Sequence, residues 1–137
     1  MRKKIIPIIN KYILTVLLAL GSMAVGMADA HLVVLPDGIV DLGEFEEKDV
    51  QTREVFVKNS GDEPLTILKT FSSCSCTRVQ YSSAPIAPGD SAAITVVFDG
   101  RHRKPGAVRK VIRLTSNADN SIVGVLVKGD IVKPFQK

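Results

Sequence analysis

The sequence predicts an all-β domain, an antiparallel β-sandwich of about seven strands, with an export leader ahead of it. Three observations carry that expectation. Beyond residue 30, apolar and polar residues alternate in runs of strand length, and no segment repeats apolar residues at helical spacing over several turns. Clusters of Gly, Pro, Asn and Asp punctuate those runs at near-regular intervals. The connections are too short for crossover helices, which excludes a parallel α/β sheet.

The chain opens with Arg2, Lys3 and Lys4, followed by Lys11, an apolar run from Ile13 to Val25, and Ala28-Asp29-Ala30. Basic, apolar and small residues in that order make a secretory signal over residues 1–30, cleaved between Ala30 and His31. A retained membrane anchor is the alternative. The apolar run is 13 residues long, where a span needs about 20. Pro7, Asn10 and Lys11 interrupt any extension towards Ile5. No Cys follows the run, which argues against a lipid anchor.

The elements of the domain, residues 31–132, follow in order. Leu32 to Leu35 is an apolar run ended by the turn Pro36-Asp37-Gly38, and Ile39 to Leu42 is a second run ended by Gly43. Glu44 to Asp49 is acidic and reads as an exposed connection. Thr52 to Lys58 is a strand with Val55 and Val57 on one face, and Phe56 suggests that the other face is partly covered too. Asn59-Ser60-Gly61-Asp62 is a turn. Leu65 to Phe71 is a strand, and Val79 to Tyr81 a short edge strand. Ala87-Pro88-Gly89-Asp90 turns the chain into Ala92 to Phe98, where Ile94, Val96 and Phe98 share a face. After the charged loop Arg101 to Gly106 come a strand from Val108 to Thr115 and a polar turn. Ile122 to Val132 closes the domain, with Val123, Val125, Val127 and Ile131 in phase. Residues 133–137 form a flexible tail.

Composition suits one globular domain: 137 residues, 45% hydrophobic and 23% charged. The net charge of +4 resides mostly in the leader. From His31 onward 14 Lys and Arg face 13 Asp and Glu, so the concentrated positive field of a nucleic-acid binder is absent. Two cysteines are too few for disulfides to be the main source of stability.

Several short motifs stand in a characteristic order: Asp41-Leu42-Gly43, Lys58-Asn59-Ser60-Gly61, Pro64-Leu65, Cys74-Ser75-Cys76-Thr77, Ile86-Ala87-Pro88-Gly89-Asp90, Phe98-Asp99 and Ser116-Asn117. With them the chain resembles the bacterial family known as domain of unknown function 1573, from Asp41 to Gly129. It departs from the family at Leu42, where an aromatic is usual, and at Ser75, where Gly is usual. The resemblance implies an immunoglobulin-like fold akin to major-sperm-protein and cilia-associated domains, which are mostly protein-interaction modules. It implies no activity.

Cys74 and Cys76 are the most reactive-looking residues. Two apart on an extended strand, they point to one side. Three readings stand: thiols packed as small apolar side chains, a local disulfide in an oxidising compartment, or a metal or redox pair. A zinc site wants four ligands, and only His31 and His102 offer imidazoles. A catalytic pairing of either Cys with His102 needs a base in reach and a third orienting group, which the sequence does not provide. No phosphate loop, nucleophile elbow or paired-His motif is present. Arg101-His102-Arg103-Lys104 is a basic cluster, and Glu44, Glu46, Glu47 and Asp49 form an acidic one without calcium-loop spacing.

These readings add up to an exported, non-enzymatic module of the periplasm or extracellular space. It would bind an envelope or extracellular protein, with no cofactor, no nucleic-acid partner and no membrane span after cleavage. Its expected contact loops contain Asn59 and Gly61, Pro88 and Gly89, and Arg101 and Arg103, with the edge near Cys74. The alternatives are a thiol-redox or metal-handling protein built on Cys74 and Cys76, and an envelope protein tethered by an uncleaved leader.

Overall fold

A computed structural model describes residues 27–134; most of the leader, residues 1–26, and the tail end, residues 135–137, lie outside the described residues. The described chain is all-β. Its strands are β1 (Leu32–Leu35), β2 (Ile39–Glu46), β3 (Val50–Asn59), β4 (Ile67–Ser72), β5 (Thr77–Gln80), β6 (Ser91–Asp99), β7 (Gly106–Ser116) and β8 (Ile122–Val132). They form two four-stranded sheets, ordered β1-β3-β6-β5 and β2-β8-β7-β4. No helix among the described residues is long and apolar enough to cross a membrane.

The two sheets face each other across side chains supplied by period-two alternation. Val55 and Val57 of β3 and Ile94, Val96 and Phe98 of β6 point inward from the first sheet. Ile112 and Leu114 of β7 and Val125, Val127 and Ile131 of β8 meet them from the second. An edge-to-face contact between Phe45 and Phe98, with ring centroids 5.7 Å apart, ties the sheets together.

The eight strands agree with the expected sandwich of about seven. Three details differ from the sequence expectation. The sandwich is not wholly antiparallel, since β2 runs parallel to β8. The connection expected over Glu44 to Asp49 is strand as far as Glu46, and Phe45 is buried. A register shift between Asp41 and Glu44, with Gly43 at φ +66°, turns Phe45 into the core three residues after Leu42. The face expected to be covered around Phe56 is open, leaving that ring 45% exposed.

Strand direction sorts the loops onto two ends. One end gathers residues 29–31, the β3–β4 turn, the segment before β6 and the β7–β8 turn. Backbone bonds stitch it: Asp62 N donates to Asp29 O at 2.8 Å, Asp119 N to Ala30 O at 2.9 Å and Gly89 N to Asn59 O at 2.8 Å. The other end gathers the β2–β3, β4–β5 and β6–β7 connections and the end of β8.

Candidate functional site

The second end carries the reactive chemistry. The β4–β5 connection is a tight turn fixed by its own polar groups. Ser72 Oγ donates to Cys74 O at 3.1 Å, and Thr77 N donates to the same carbonyl at 3.2 Å. The turn brings Cys74 and Cys76 together, and their sulfurs are joined in a disulfide. Both residues are buried, at 8% and 7% exposure. Cys76 N–H points at Cys74 Sγ, 3.2 Å away.

Above this turn lies the β6–β7 loop. Asp99 Oδ1 accepts from the backbone N and Nε of Arg101 at 3.0 and 2.9 Å, and Oδ2 accepts from Nη2 at 2.7 Å. The Arg101 side chain, and then its backbone N–H, hold the Asp99 carboxyl down at about 2. The same contact raises the Arg101 guanidinium above its ordinary value. Gly100 N donates to Asp49 O at 3.0 Å and Asp99 N to Cys76 O at 2.7 Å, so the loop is tied to both neighbouring connections. His102 takes φ +65°, which turns the chain back over the disulfide. Arg103 Nη2 then donates to Cys74 Sγ, 29 residues away in sequence. A shallow groove lined by Ser75, Cys76, Asp99, Arg101, His102 and Arg103 opens beside Cys76.

Beside the turn, β4 is an edge of the second sheet. Leu68 and Phe71 on it are 58% and 57% exposed. Phe71 pairs with Arg113 and Lys69 with Thr115 across to β7. A second groove runs between β4 and β5, lined in part by Phe71, Cys74, Arg78 and Val79.

The expected site residues therefore divide. Arg101, Arg103, Cys74 and Cys76 come together at one end, and Asn59, Gly61, Pro88 and Gly89 lie at the other. Asn59 is fully buried. Its Nδ2 donates to Glu63 O at 2.6 Å and Ile86 O at 3.0 Å, and its Oδ1 accepts from Gly61 N at 3.0 Å. It shapes its loop and offers no side chain to a partner. Pro88 and Gly89 are exposed. Ala30 is buried beside His31, whose Nδ1 meets Asp119 Oδ1 at 2.7 Å. That contact, with the Asn120 backbone N–H, lowers the Asp119 carboxyl. His31 is thus at the end remote from the cysteines, whereas His102 shares the groove with Cys76. Among the described residues no three His, Cys, Asp or Glu side chains gather as metal ligands.

The sequence profile of "Protein of unknown function (DUF1573)" matches residues 35–131. The chain belongs to the DUF1573 family. No curated protein matches it by sequence. Among solved structures, the DUF1573 chain is similar to a protein of unknown function from Porphyromonas gingivalis W83, with TM-score 0.65 and 15% identity. That match covers 81% of this chain and 51% of the other, so this chain spans about half the length of that protein. It is also similar to a PapD-like (ASH) domain of human CEP192, with TM-score 0.63, 7% identity and coverage of 83% and 94%. The periplasmic chaperone SfaE follows with TM-score 0.54, 6% identity and coverage of 77% and 59%. At these identities the likeness is one of fold: the DUF1573 domain is an immunoglobulin-like, PapD-like sandwich.

Proposed function

We propose that this chain is an exported, non-enzymatic binding module of the cell envelope that takes up an extended, acidic segment of a partner protein along β4. The observation that carries this reading is the chemistry of that edge. An edge strand offers unpaired backbone N–H and C=O groups to an incoming strand. Here it also offers Phe71 and Leu68 as apolar anchors. Strands β4 and β7 bear Lys69, Arg109, Lys110 and Arg113 and not one carboxylate. A partner segment with apolar residues at alternate positions and Asp or Glu between them complements that surface in both pattern and charge.

Export is supported by the order of residues in the leader and by the disulfide, since such bonds persist in oxidising compartments. The fold shared with a periplasmic chaperone and a PapD-like domain is compatible with a non-catalytic role.

A displayed library of extended peptides, selected on the protein purified from a periplasmic extract, tests the reading. Selected peptides should alternate apolar and acidic residues. They should shift the amide resonances of β4 and Arg113, and lose at least about tenfold in affinity against Phe71→Asp. Phe56→Asp, on the opposite sheet, should leave binding intact. Peptides that instead shift the Arg101–Lys104 loop, or that bind Phe71→Asp equally well, would refute it, as would a library that yields no binder.

A further inference from the structure

Two donors converge on one sulfur of the disulfide. Cys74 Sγ receives the Arg103 guanidinium and the Cys76 backbone N–H. Among the described residues, Cys76 Sγ meets only the hydroxyl of Thr77, at 3.6 Å. In thiol–disulfide exchange, the sulfur that departs as the better-stabilised thiolate leaves faster. A cation and an N–H aimed at a sulfur lower the pKa of its thiol and stabilise that thiolate. The two cysteines are adjacent to one another in the turn, yet they are not equivalent as leaving groups.

The two sulfurs face different grooves, and Cys74 lines the one between β4 and β5 with Arg78. Cys76 lines the groove beneath the β6–β7 loop with Arg101, His102 and Arg103. Asp99 is also there, joined to Arg101 by two bonds, so these two charges offset and the charge of Arg103 is left in the groove. An anionic sulfur entering the groove therefore meets positive charge next to Cys76.

We propose that Cys74–Cys76 is a thiol-exchange site at which a dithiol reductant attacks Cys76 and Cys74 departs as a thiolate held by Arg103. The thiolate of the reductant forms a bond to Cys76 Sγ while the Cys76–Cys74 bond breaks, and the electron pair of that bond goes to Cys74 Sγ. The second thiol of the reductant, deprotonated, then attacks its own sulfur in the mixed disulfide and displaces Cys76 as a thiolate. The reductant ends as a disulfide. The protein gains two electrons, and two protons once both thiolates are protonated. Arg103 acts here as a positioning residue that sets which sulfur leaves.

The test uses the mature protein purified oxidised from a periplasmic extract. Glutathione, a monothiol that forms a mixed disulfide, is the probe, and iodoacetamide caps the released thiol before it or a second glutathione can displace the adduct. Peptide mass spectrometry should find glutathione on Cys76 and carbamidomethyl on Cys74. With dithiothreitol, Arg103→Gln should be reduced on the order of tenfold more slowly than wild type, and Arg103→Lys should recover part of that loss. Glutathione on Cys74, or an even division between the two sulfurs, would overturn the proposal without recourse to any variant. So would a folded Arg103→Gln protein reduced at the wild-type rate, or a wild-type disulfide that resists both thiols until the protein unfolds.

Discussion

Replacing Asn59 by Ala should unfold the protein at a markedly lower temperature, although the residue looks like part of an exposed turn. Its amide is buried, with Nδ2 on the carbonyls of Glu63 and Ile86 and Oδ1 on the N–H of Gly61. Truncation removes these bonds, although Ile86 O keeps the one it accepts from Leu65 N at 2.9 Å. Ile86 is itself buried and paired with Leu65, so its neighbourhood has little access to water. Each lost hydrogen bond costs about 1 kcal/mol, and Asn59 makes several. Roughly 2–4 kcal/mol is therefore expected for Asn59→Ala. At about 4–8 °C per kcal/mol for a domain of this size, the melting temperature should fall by at least about 10 °C. Urea unfolding should show a lower midpoint with an unchanged slope. Asn59→Asp separates hydrogen bonding from shape. At pH 7 it points a carboxylate at two carbonyls, which raises its folded-state pKa, and protonation as the pH falls restores one donor. It should thus be less stable than Asn59→Ala at pH 7 and regain ground as the pH falls towards about 4, where the unfolded chain's carboxyl protonates too. A loss under about 1 kcal/mol for Asn59→Ala, or an Asp variant indifferent to pH, would refute the reasoning.

Two further outcomes are expected. The Asp99 carboxyl, held at about 2 by Arg101, titrates below its ordinary value of 3.8. A depressed folded-state value means that its contribution is complete above about pH 4 and is lost as the pH falls towards 2. Carboxyl resonances should report a midpoint near 2 for Asp99, returning towards 3.8 in Arg101→Gln. The second outcome concerns the expected cleavage between Ala30 and His31. A chain beginning at His31 lacks the buried Ala30 and the bonds from Asp62 N to Asp29 O and from Asp119 N to Ala30 O. It should be less stable than one beginning at Asp29 by about 1–3 kcal/mol in urea unfolding. Mass measurement of the envelope-derived protein gives its first residue.

The strands were legible because each one buries a single face, which imposes a period of two. Ile94, Val96 and Phe98 on β6, and Val125 and Val127 on β8, follow it without interruption. The period fails where geometry resets it. In β2 the bulge at Gly43 places Leu42 and Phe45 on the same face, so alternation alone makes Glu44 to Asp49 look like a connection. The parallel pairing of β2 with β8 joins segments about 85 residues apart, and no local pattern announces it. Asn59 was misleading in a different way. Asn-Ser-Gly is turn chemistry, and the turn is present, but its amide faces inward to hold four backbone groups, those of His31, Gly61, Glu63 and Ile86. The candidate site was half visible. Cys74, Cys76 and the Arg101–Lys104 cluster each stood out, whereas their juxtaposition depends on β5 pairing beside β6, which brings the β4–β5 turn next to the β6–β7 loop.

The two ends of the sandwich also fix a direction. Residues 29–31 are tied down at the end that holds the β7–β8 turn, and β8 then runs 11 residues from Ile122 to Val132, away from it. At about 3.3 Å per residue that is roughly 35 Å of travel. Residues 29–31 are therefore at the far pole from the disulfide and its arginines. A membrane surface, a neighbouring domain or a support resin attached on that side would leave the sulfur chemistry standing outward, like the working tip of a mast.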